Sequence, residues 1–141
     1  MLTPFHVAYH VRNLNEAIKF YKEVLGCVEG RSTDTWVDFD FFGHQISLHV
    51  GEPFETRRTG KVGAHLVLMP HLGVILPLDR WRALAERLET AGVQFEIPPV
   101  VRFEGEPGEQ WTMFFLDPSG NPLEIKGFKD SRAIFAAARA L

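Results

Sequence analysis

An α+β fold built from two copies of one βαβββ module is what this sequence predicts, and three observations predict it. A strand followed by a helix opens each half. A glycine closes each helix at nearly the same distance from its strand, and an acidic turn ending in glycine sits in the hairpin of each half.

The elements follow in order. Phe5 to Val11 alternates bulky and smaller side chains as a strand does, and Asn13-Leu14-Asn15-Glu16 opens a stretch with Leu14, Ile18, Tyr21, Val24 and Leu25 at helical spacing. Gly26 stands where a C-terminal glycine belongs, and Val28 leads into a second strand. Trp36 to Phe42 alternates, Gly43-His44 supplies a tight turn, and Gln45 to Val50 alternates again, which is a hairpin. From Pro70 the order returns: a strand from His71 to Leu76, Asp79 as cap, and a helix with Trp81, Leu84, Leu88 and Ala91 on one face, closed by Gly92. Val93 to Ile97 and Gln110 to Leu116 read as strands, Asp117-Pro118-Ser119-Gly120 as a turn, and Pro122 to Lys126 as the last strand.

This organisation gives one domain over residues 1–128, with module one at 1–52, a linker at 53–69 marked by Pro53, Gly60 and Gly63, and module two at 70–128. Residues 129–141 are expected to form an Ala-rich amphipathic helix with Ile134, Phe135, Ala138 and Leu141 on one side. Such a short helix is unstable alone in water and needs a surface to pack on, either the body or a second subunit.

Landmarks set the repeat. His6 lies 20 residues before Gly26 and His71 lies 21 before Gly92, while Asp40 to Gly43 and Asp117 to Gly120 make the same three-residue step. With two extra residues allowed in the first hairpin arm, Leu48-His49-Val50 falls where Leu123-Glu124-Ile125 falls. Modules this small are marginal by themselves; pairing them through their first strands makes a curved mixed sheet whose halves face a common cup.

Composition bounds the function. At 141 residues, with 45% hydrophobic and 23% charged side chains, the chain can bury a real core. Its net charge of -3 with no basic run argues against nucleic acid or an anionic membrane as partner. Met1 to Tyr9 does not read as a leader, and no apolar run approaches the roughly 20 residues of a membrane span, so a cytoplasmic protein is expected. Cys27 is alone, which excludes an internal disulfide or a thiolate cluster, and it reads as a small buried hydrophobe.

Six histidines beside a single cysteine point to imidazole and carboxylate ligands, which suit iron, zinc, nickel and manganese. Each module offers one candidate at the start of its first strand and one on its last: His6 and His49, then His71 and Glu124. A lone histidine on a strand is usually structural, but repeat-related placement favours ligation for His6 and His71. Glu124, between Leu123 and Ile125, would be costly to desolvate without a cation. His49 shares a strand face with Gln45 and Ser47 and is expected either to bind the ion or to move a proton; with Glu124 it is the candidate catalytic pair. His10 shares a face with His6 and should reach the cup without touching the metal. His44 and His65 read as surface residues. Trp36, Asp38, Phe103, Trp111, Met113 and Phe114 fit a pocket lining and a core equally well.

Phe5-His6-Val7-Ala8, Phe20-Tyr21, Leu25-Gly26 and the run from Phe115 through Asp117-Pro118-Ser119-Gly120-Asn121 to Glu124 resemble the vicinal oxygen chelate superfamily. That superfamily takes in glyoxalase I, extradiol dioxygenases, fosfomycin-resistance enzymes and bleomycin-resistance proteins, and the resemblance covers about residues 1–128. It implies a paired βαβββ fold with a divalent ion in the cup at the positions of His6, His71 and Glu124. The place aligned with His49 holds a glutamate in glyoxalase I-like enzymes. Bleomycin-binding relatives lack the ligands altogether.

The expected activity is therefore metal-dependent chemistry on a small substrate with two neighbouring oxygens, with an extradiol-type dioxygenase using iron as the leading form. The alternatives are a glyoxalase I-like lyase or isomerase using zinc, nickel or manganese, and a non-catalytic small-molecule binding protein. A homodimer is expected as the assembly.

Overall fold

The computed structural model describes residues 3–136. In chain order the elements are β1 (His6–Val11), α1 (Leu14–Lys19), β2 (Val28–Ser32), β3 (Trp36–Phe41), β4 (His44–Val50), β5 (Arg57–Val62), β6 (His65–Met69), β7 (Leu72–Pro77), α2 (Leu78–Thr90), β8 (Phe95–Arg102), β9 (Gln110–Leu116) and β10 (Pro122–Phe128). Two βαβββ modules in an α+β fold are present, each with its own mixed four-stranded sheet, in orders β1-β4-β3-β2 and β7-β10-β9-β8. The described residues divide into two compact units, one running to Pro70 and including Leu116–Asn121, the other made of His71–Phe115 and the chain from Pro122.

In the first unit, β1 is short enough that the chain must turn at once, and Asn13 makes the turn. Its extended backbone and its side-chain oxygen, which accepts from the Glu16 amide at 3.0 Å, satisfy an amide that the first helical turn leaves orphaned. α1 widens into π-helical turns over Phe20–Val24, with the Leu25 amide bonded to the Phe20 carbonyl at 3.0 Å. Gly26 then takes φ +77° and ends the helix, as Gly92 does at +76° after α2.

Strand alternation sorts the first sheet into two faces. Tyr9 and Val11 on β1, Val37, Phe39 and Phe41 on β3, and Ile46 and Leu48 on β4 are buried with Ala17, Phe20 and Tyr21 of the helical segment. Each large apolar side chain among them contributes about 1.5–3 kcal/mol of transfer free energy, so this face fixes the register. The opposite face carries His6, Ala8 and His10, then Gln45, Ser47 and His49, then Asp40, Asp38 and Trp36, in rows set by the strand pairing.

The turn after β9 belongs to this first unit, and its hydrogen bonds say why. Asp117 is buried and accepts four: from the Ser119 and Asn121 amides on one oxygen, and from Tyr21 Oη and Asn121 Nδ2 on the other, all at 2.9 Å. Asn121 Nδ2 also donates to the His10 carbonyl at 2.9 Å, and Ser119 Oγ accepts from the Arg12 amide at 2.9 Å. The Asp-Pro-Ser-Gly-Asn run is thus a clamp on the end of β1 and on the helical segment.

In the second unit, α2 lays Trp81, Leu84, Ala85 and Leu88 inward, and Trp81 Nε1 donates to the Ile125 carbonyl at 2.9 Å. Met113, Phe115, Leu123 and Ile125 complete that core. β7 and β10 run parallel with Glu124 opposite Gly73, and a Cβ at Gly73 would overlap the Glu124 carbonyl.

Several expectations are corrected. The segment read as a linker at 53–69 contains the β5–β6 hairpin. The tight turn of the first hairpin is Phe42-Gly43, both with positive φ, and His44 already belongs to β4. α2 begins two residues early, with Pro77 rather than Asp79 at its cap and no side-chain capping hydrogen bond, and Asp79 lies in the first turn. β8 starts at Phe95 and reaches Arg102, with register breaks along its pairing to β9. Of the segment expected as a C-terminal helix, the described part holds a 3-10 turn at Ser131–Ala133 beginning at the Asp130 cap, and residues 137–141 lie outside the described residues. Among the described residues no helix is long and apolar enough to cross a membrane.

Candidate functional site

Glu124 is the residue hardest to explain as structure alone. It lies mid-strand in β10 between the buried Leu123 and Ile125, and only 9% of its surface is exposed. Its Oε2 accepts from Thr112 Oγ1 at 2.6 Å, and its Oε1 stands 3.3 Å from His71 Nε2. A hydrogen bond to a charged group returns about 1.5–3 kcal/mol, against several kcal/mol for taking the carboxylate out of water. A cation beside the carboxylate would offset the remainder.

The pair has the right spacing for one. Nitrogen and oxygen donors about 2.1 Å from a common ion and 3.3 Å apart subtend roughly 100°, between the octahedral and tetrahedral angles. The His71 ring is held edge-on against Phe114, with centroids 4.9 Å apart. Phe114 therefore faces His71, although it is fully buried.

In the first unit, His6 is exposed and its Nδ1 lies 2.8 Å from Gln45 Oε1. An amide oxygen only accepts, so Nδ1 carries the proton and Nε2 presents a lone pair, the arrangement in which an outer hydrogen bond orients a metal-binding histidine. His6 and His71 therefore each have a neighbour that fixes the ring, Gln45 in one sheet and Phe114 in the other.

The register revises the repeat. Glu124 is opposite Gly73, two residues beyond His71; two residues beyond His6 is Ala8, and its partner on β4 is Ser47. Ser47, not His49, holds the Glu124 position. No extra residues need be allowed in the first hairpin: Ser47 follows Gly43 by four residues as Glu124 follows Gly120. Ser47 is buried and donates to Asp38 Oδ1 at 2.5 Å, and Arg31 approaches the other Asp38 oxygen at 3.7 Å. By sequence alone Asp38 fits a pocket lining and a core equally well; its strand partner Ser47 is the signal that separates them.

His49 is opposite His10, four strand residues from the His6 row, which is about 13 Å along the sheet. Its ring stacks on Trp36, with centroids 6.3 Å apart and planes 30° apart. Within neither unit, among the described residues, are three or more His, Cys, Asp or Glu side chains gathered to hold a metal ion; His71 and Glu124 come together, and His6 and His49 do not. His44, expected at the surface, is half-buried and its Nδ1 accepts from the Phe5 amide at 2.8 Å, while His65 is exposed on β6. Cys27 is buried.

Two further ionisable groups lie behind the His6 face. Tyr9 and Tyr21 share a 2.7 Å hydrogen bond, and the Tyr21 hydroxyl donates its hydrogen bond to Asp117 Oδ2 at 2.9 Å. Burial, first of all, pushes both phenols well above the ordinary tyrosine range; for Tyr21 the neighbouring Tyr9 and Asp117 add to it.

Comparison with known proteins gives this geometry a family. Residues 3–125 match the model of the Glyoxalase/Bleomycin resistance protein/Dioxygenase superfamily. A glyoxalase/bleomycin resistance protein/dioxygenase from Alicyclobacillus acidocaldarius is 31% identical, with 94% of this chain and 96% of that one covered and a TM-score of 0.76. The fosfomycin resistance protein FosX of Listeria monocytogenes shares the fold at 18% identity, covering 95% and 100% of the two chains, with a TM-score of 0.69. Lactoylglutathione lyase from Agrobacterium tumefaciens shares it at 18% identity, 90% and 94% coverage and a TM-score of 0.61. The chain belongs to the glyoxalase/bleomycin resistance protein/dioxygenase superfamily, the vicinal oxygen chelate fold.

Proposed function

We propose that this protein is a cytoplasmic, homodimeric metal-dependent enzyme that acts on a small substrate with two vicinal oxygens, and that it is an extradiol-type dioxygenase. The observation that carries the reading is the His71–Glu124 pair: a buried carboxylate and an imidazole with the spacing of two donors to one ion. His6, its Nδ1 engaged by Gln45, is the third ligand in this reading. A divalent cation held by His6, His71 and Glu124 supplies Lewis acidity toward a pair of vicinal oxygens, and a two-histidine, one-carboxylate set is that of non-haem iron oxygenases.

The chain's own residues do the rest. Thr112 keeps one Glu124 oxygen occupied, so the carboxylate presents the other. Gln45 sets the His6 tautomer, and Phe114 limits rotation of His71. Ser47 in the place matching Glu124 removes a fourth protein ligand, which favours iron-type chemistry over a closed four-ligand site. His49, first considered a ligand, is assigned in this reading to the substrate side of the same face, beside His10.

A lyase or isomerase is the second reading, and Asp38 favours it. This buried carboxylate, bonded to Ser47, could carry a proton where a moving carboxylate is required. One experiment separates the two. Protein purified without chelator is analysed for metal and assayed on catechols with and without dioxygen; iron with oxygen-dependent ring opening supports the dioxygenase, while nickel or zinc with oxygen-independent turnover supports the second reading. A protein that takes up no divalent ion refutes both.

A further inference from the structure

The face of the first sheet that carries His6 also holds a constellation that metal binding leaves unused. His10 on β1, His49 on β4 and Trp36 on β3 are successive register partners, so the three residues lie in a row across strands about 4.8 Å apart, with the His49 and Trp36 ring centroids 6.3 Å apart. The next row inward is Ala8 and Ser47, both small. The chain leaving β4 returns along the edge strand β1: the Gly51 amide bonds to the Val11 carbonyl at 3.0 Å, and Phe54 packs edge-on against Tyr9, with centroids 6.3 Å apart. What is left is a cavity of about 270 Å³ lined by Ala8, Tyr9, His10, His49, Glu52 and Phe54. That lies just under the range of roughly 300–1,000 Å³ usual for small-molecule sites, which limits an occupant to about one ring.

The lining is not uniform in chemistry. His10 Nδ1 is 3.1 Å from the backbone carbonyl of Glu52. A carbonyl only accepts, so Nδ1 holds the proton and the neutral ring carries its lone pair at Nε2. The ring also lies against Gly51, where a Cβ would come within 2.7 Å of Cδ2 and 2.9 Å of Nε2. The Glu52 segment that fixes the tautomer is itself held: Arg12 bonds Glu52 Oε1 at 2.9 Å through Nη2 and the Ser119 carbonyl at 2.8 Å through Nη1. A base whose second ring nitrogen is tied to an acceptor is the arrangement by which proteins orient a histidine for proton transfer.

We propose that His10 is the proton acceptor for a hydroxyl on a flat, single-ring ligand seated in this cavity beside His49. In the step, the ligand O–H bond breaks and its electron pair stays on oxygen; the proton forms an N–H bond at His10 Nε2. The imidazolium so formed keeps its Nδ1 proton on the Glu52 carbonyl, and the product is a ligand oxyanion. The inference rests on the reading that this face receives the substrate, and it is independent of whether an ion is bound.

The test uses the chelator-treated 141-residue chain and 4-nitrophenol, which has one hydroxyl, cannot clasp an ion through vicinal oxygens, and turns yellow when ionised. At a pH where the free probe is mostly colourless, wild-type protein should quench tryptophan fluorescence and raise the phenolate band together. His10→Gln should still quench but lose the band. Gly51→Ala, which keeps the imidazole and displaces its ring, should lose the band as well, and His49→Ala should weaken the quenching. A phenolate band of wild-type size in His10→Gln, or wild-type protein that neither quenches nor colours the probe, overturns the proposal. Failure of the metal reading would show instead as absence of bound ion in protein purified without chelator, with this result unchanged.

Discussion

Ser47 occupies in the first sheet the register position that Glu124 occupies in the second: each is the β-partner of the residue two beyond the first-strand histidine, Ala8 in one module and Gly73 in the other. The two modules thus differ chemically at a point where their backbones agree. Restoring the carboxylate is the direct way to learn what that difference does.

Ser47→Glu is expected to bind a divalent ion about tenfold or more tightly, a first-sphere donor being worth at least as much as the outer contacts that alter affinity by that factor. Without metal the new carboxylate faces Asp38 in a buried row, so the variant should melt below wild type when chelated and recover when metal is added. Thermal melts with and without the ion check both halves. Equal melting shifts in wild type and variant would show that Ser47 does not face the ion.

His6→Ala, His71→Ala and Glu124→Ala should each abolish stoichiometric metal, and His49→Ala should keep it while turnover falls by roughly a hundredfold or more, the scale of losing a proton-transfer or substrate-positioning group. Elemental analysis beside a rate assay reads this. Loss of metal in His49→Ala would return that residue to the ligand set.

Tyr9 and Tyr21 are the only tyrosines of the chain, and both are buried with their ionisation pushed upward by desolvation. A folded-state value above the unfolded one, near 10, means that this contribution to stability is complete below pH 10 and is lost as pH rises beyond it. The loss should approach about 1.4 kcal/mol per pH unit for each phenol. Tyrosinate absorbance should therefore stay flat through pH 10 and rise only together with loss of circular dichroism. A rise in the still-folded protein would mean that a phenol reaches water.

Asp117→Ala removes the acceptor of four hydrogen bonds, from Ser119, Tyr21 and Asn121, the last twice. Buried orphan donors cost about 1–3 kcal/mol each, so a loss of about 3 kcal/mol or more is expected in urea denaturation. Asp117→Asn, which keeps an oxygen, should lose less. Little change in either variant would remove the clamp as a source of stability.

Light scattering at micromolar concentration should find a homodimer. Phe5 is 66% exposed and Phe135 is 91% exposed, large apolar surfaces that a second copy would cover. A monomer at high concentration would end this expectation and leave the ion-binding predictions standing.

What the sequence determined by itself was periodic. Alternation through Trp36–Phe41 and Gln45–Val50, helical spacing from Leu14 to Leu25, and glycines at the ends of both helices specified two βαβββ modules, because apolar periodicity and positive φ are local properties of the chain. His71 and Glu124 were legible as candidates from their place in one module, His71 just before β7 and Glu124 in the middle of β10. What only the tertiary structure decided was pairing. Turn spacing aligns His49 with Glu124 only if two extra residues are allowed in the first hairpin arm and aligns Ser47 if none are; the parallel register of β1 with β4, with Tyr9 and Val11 buried beside Ile46 and Leu48, decides for Ser47, because a slip of two residues keeps every side chain on its face while moving the row it belongs to. The role of the Asp117 turn was hidden likewise, since its partners Tyr21, Arg12 and His10 lie about a hundred residues away in sequence and are brought to it only by the fold.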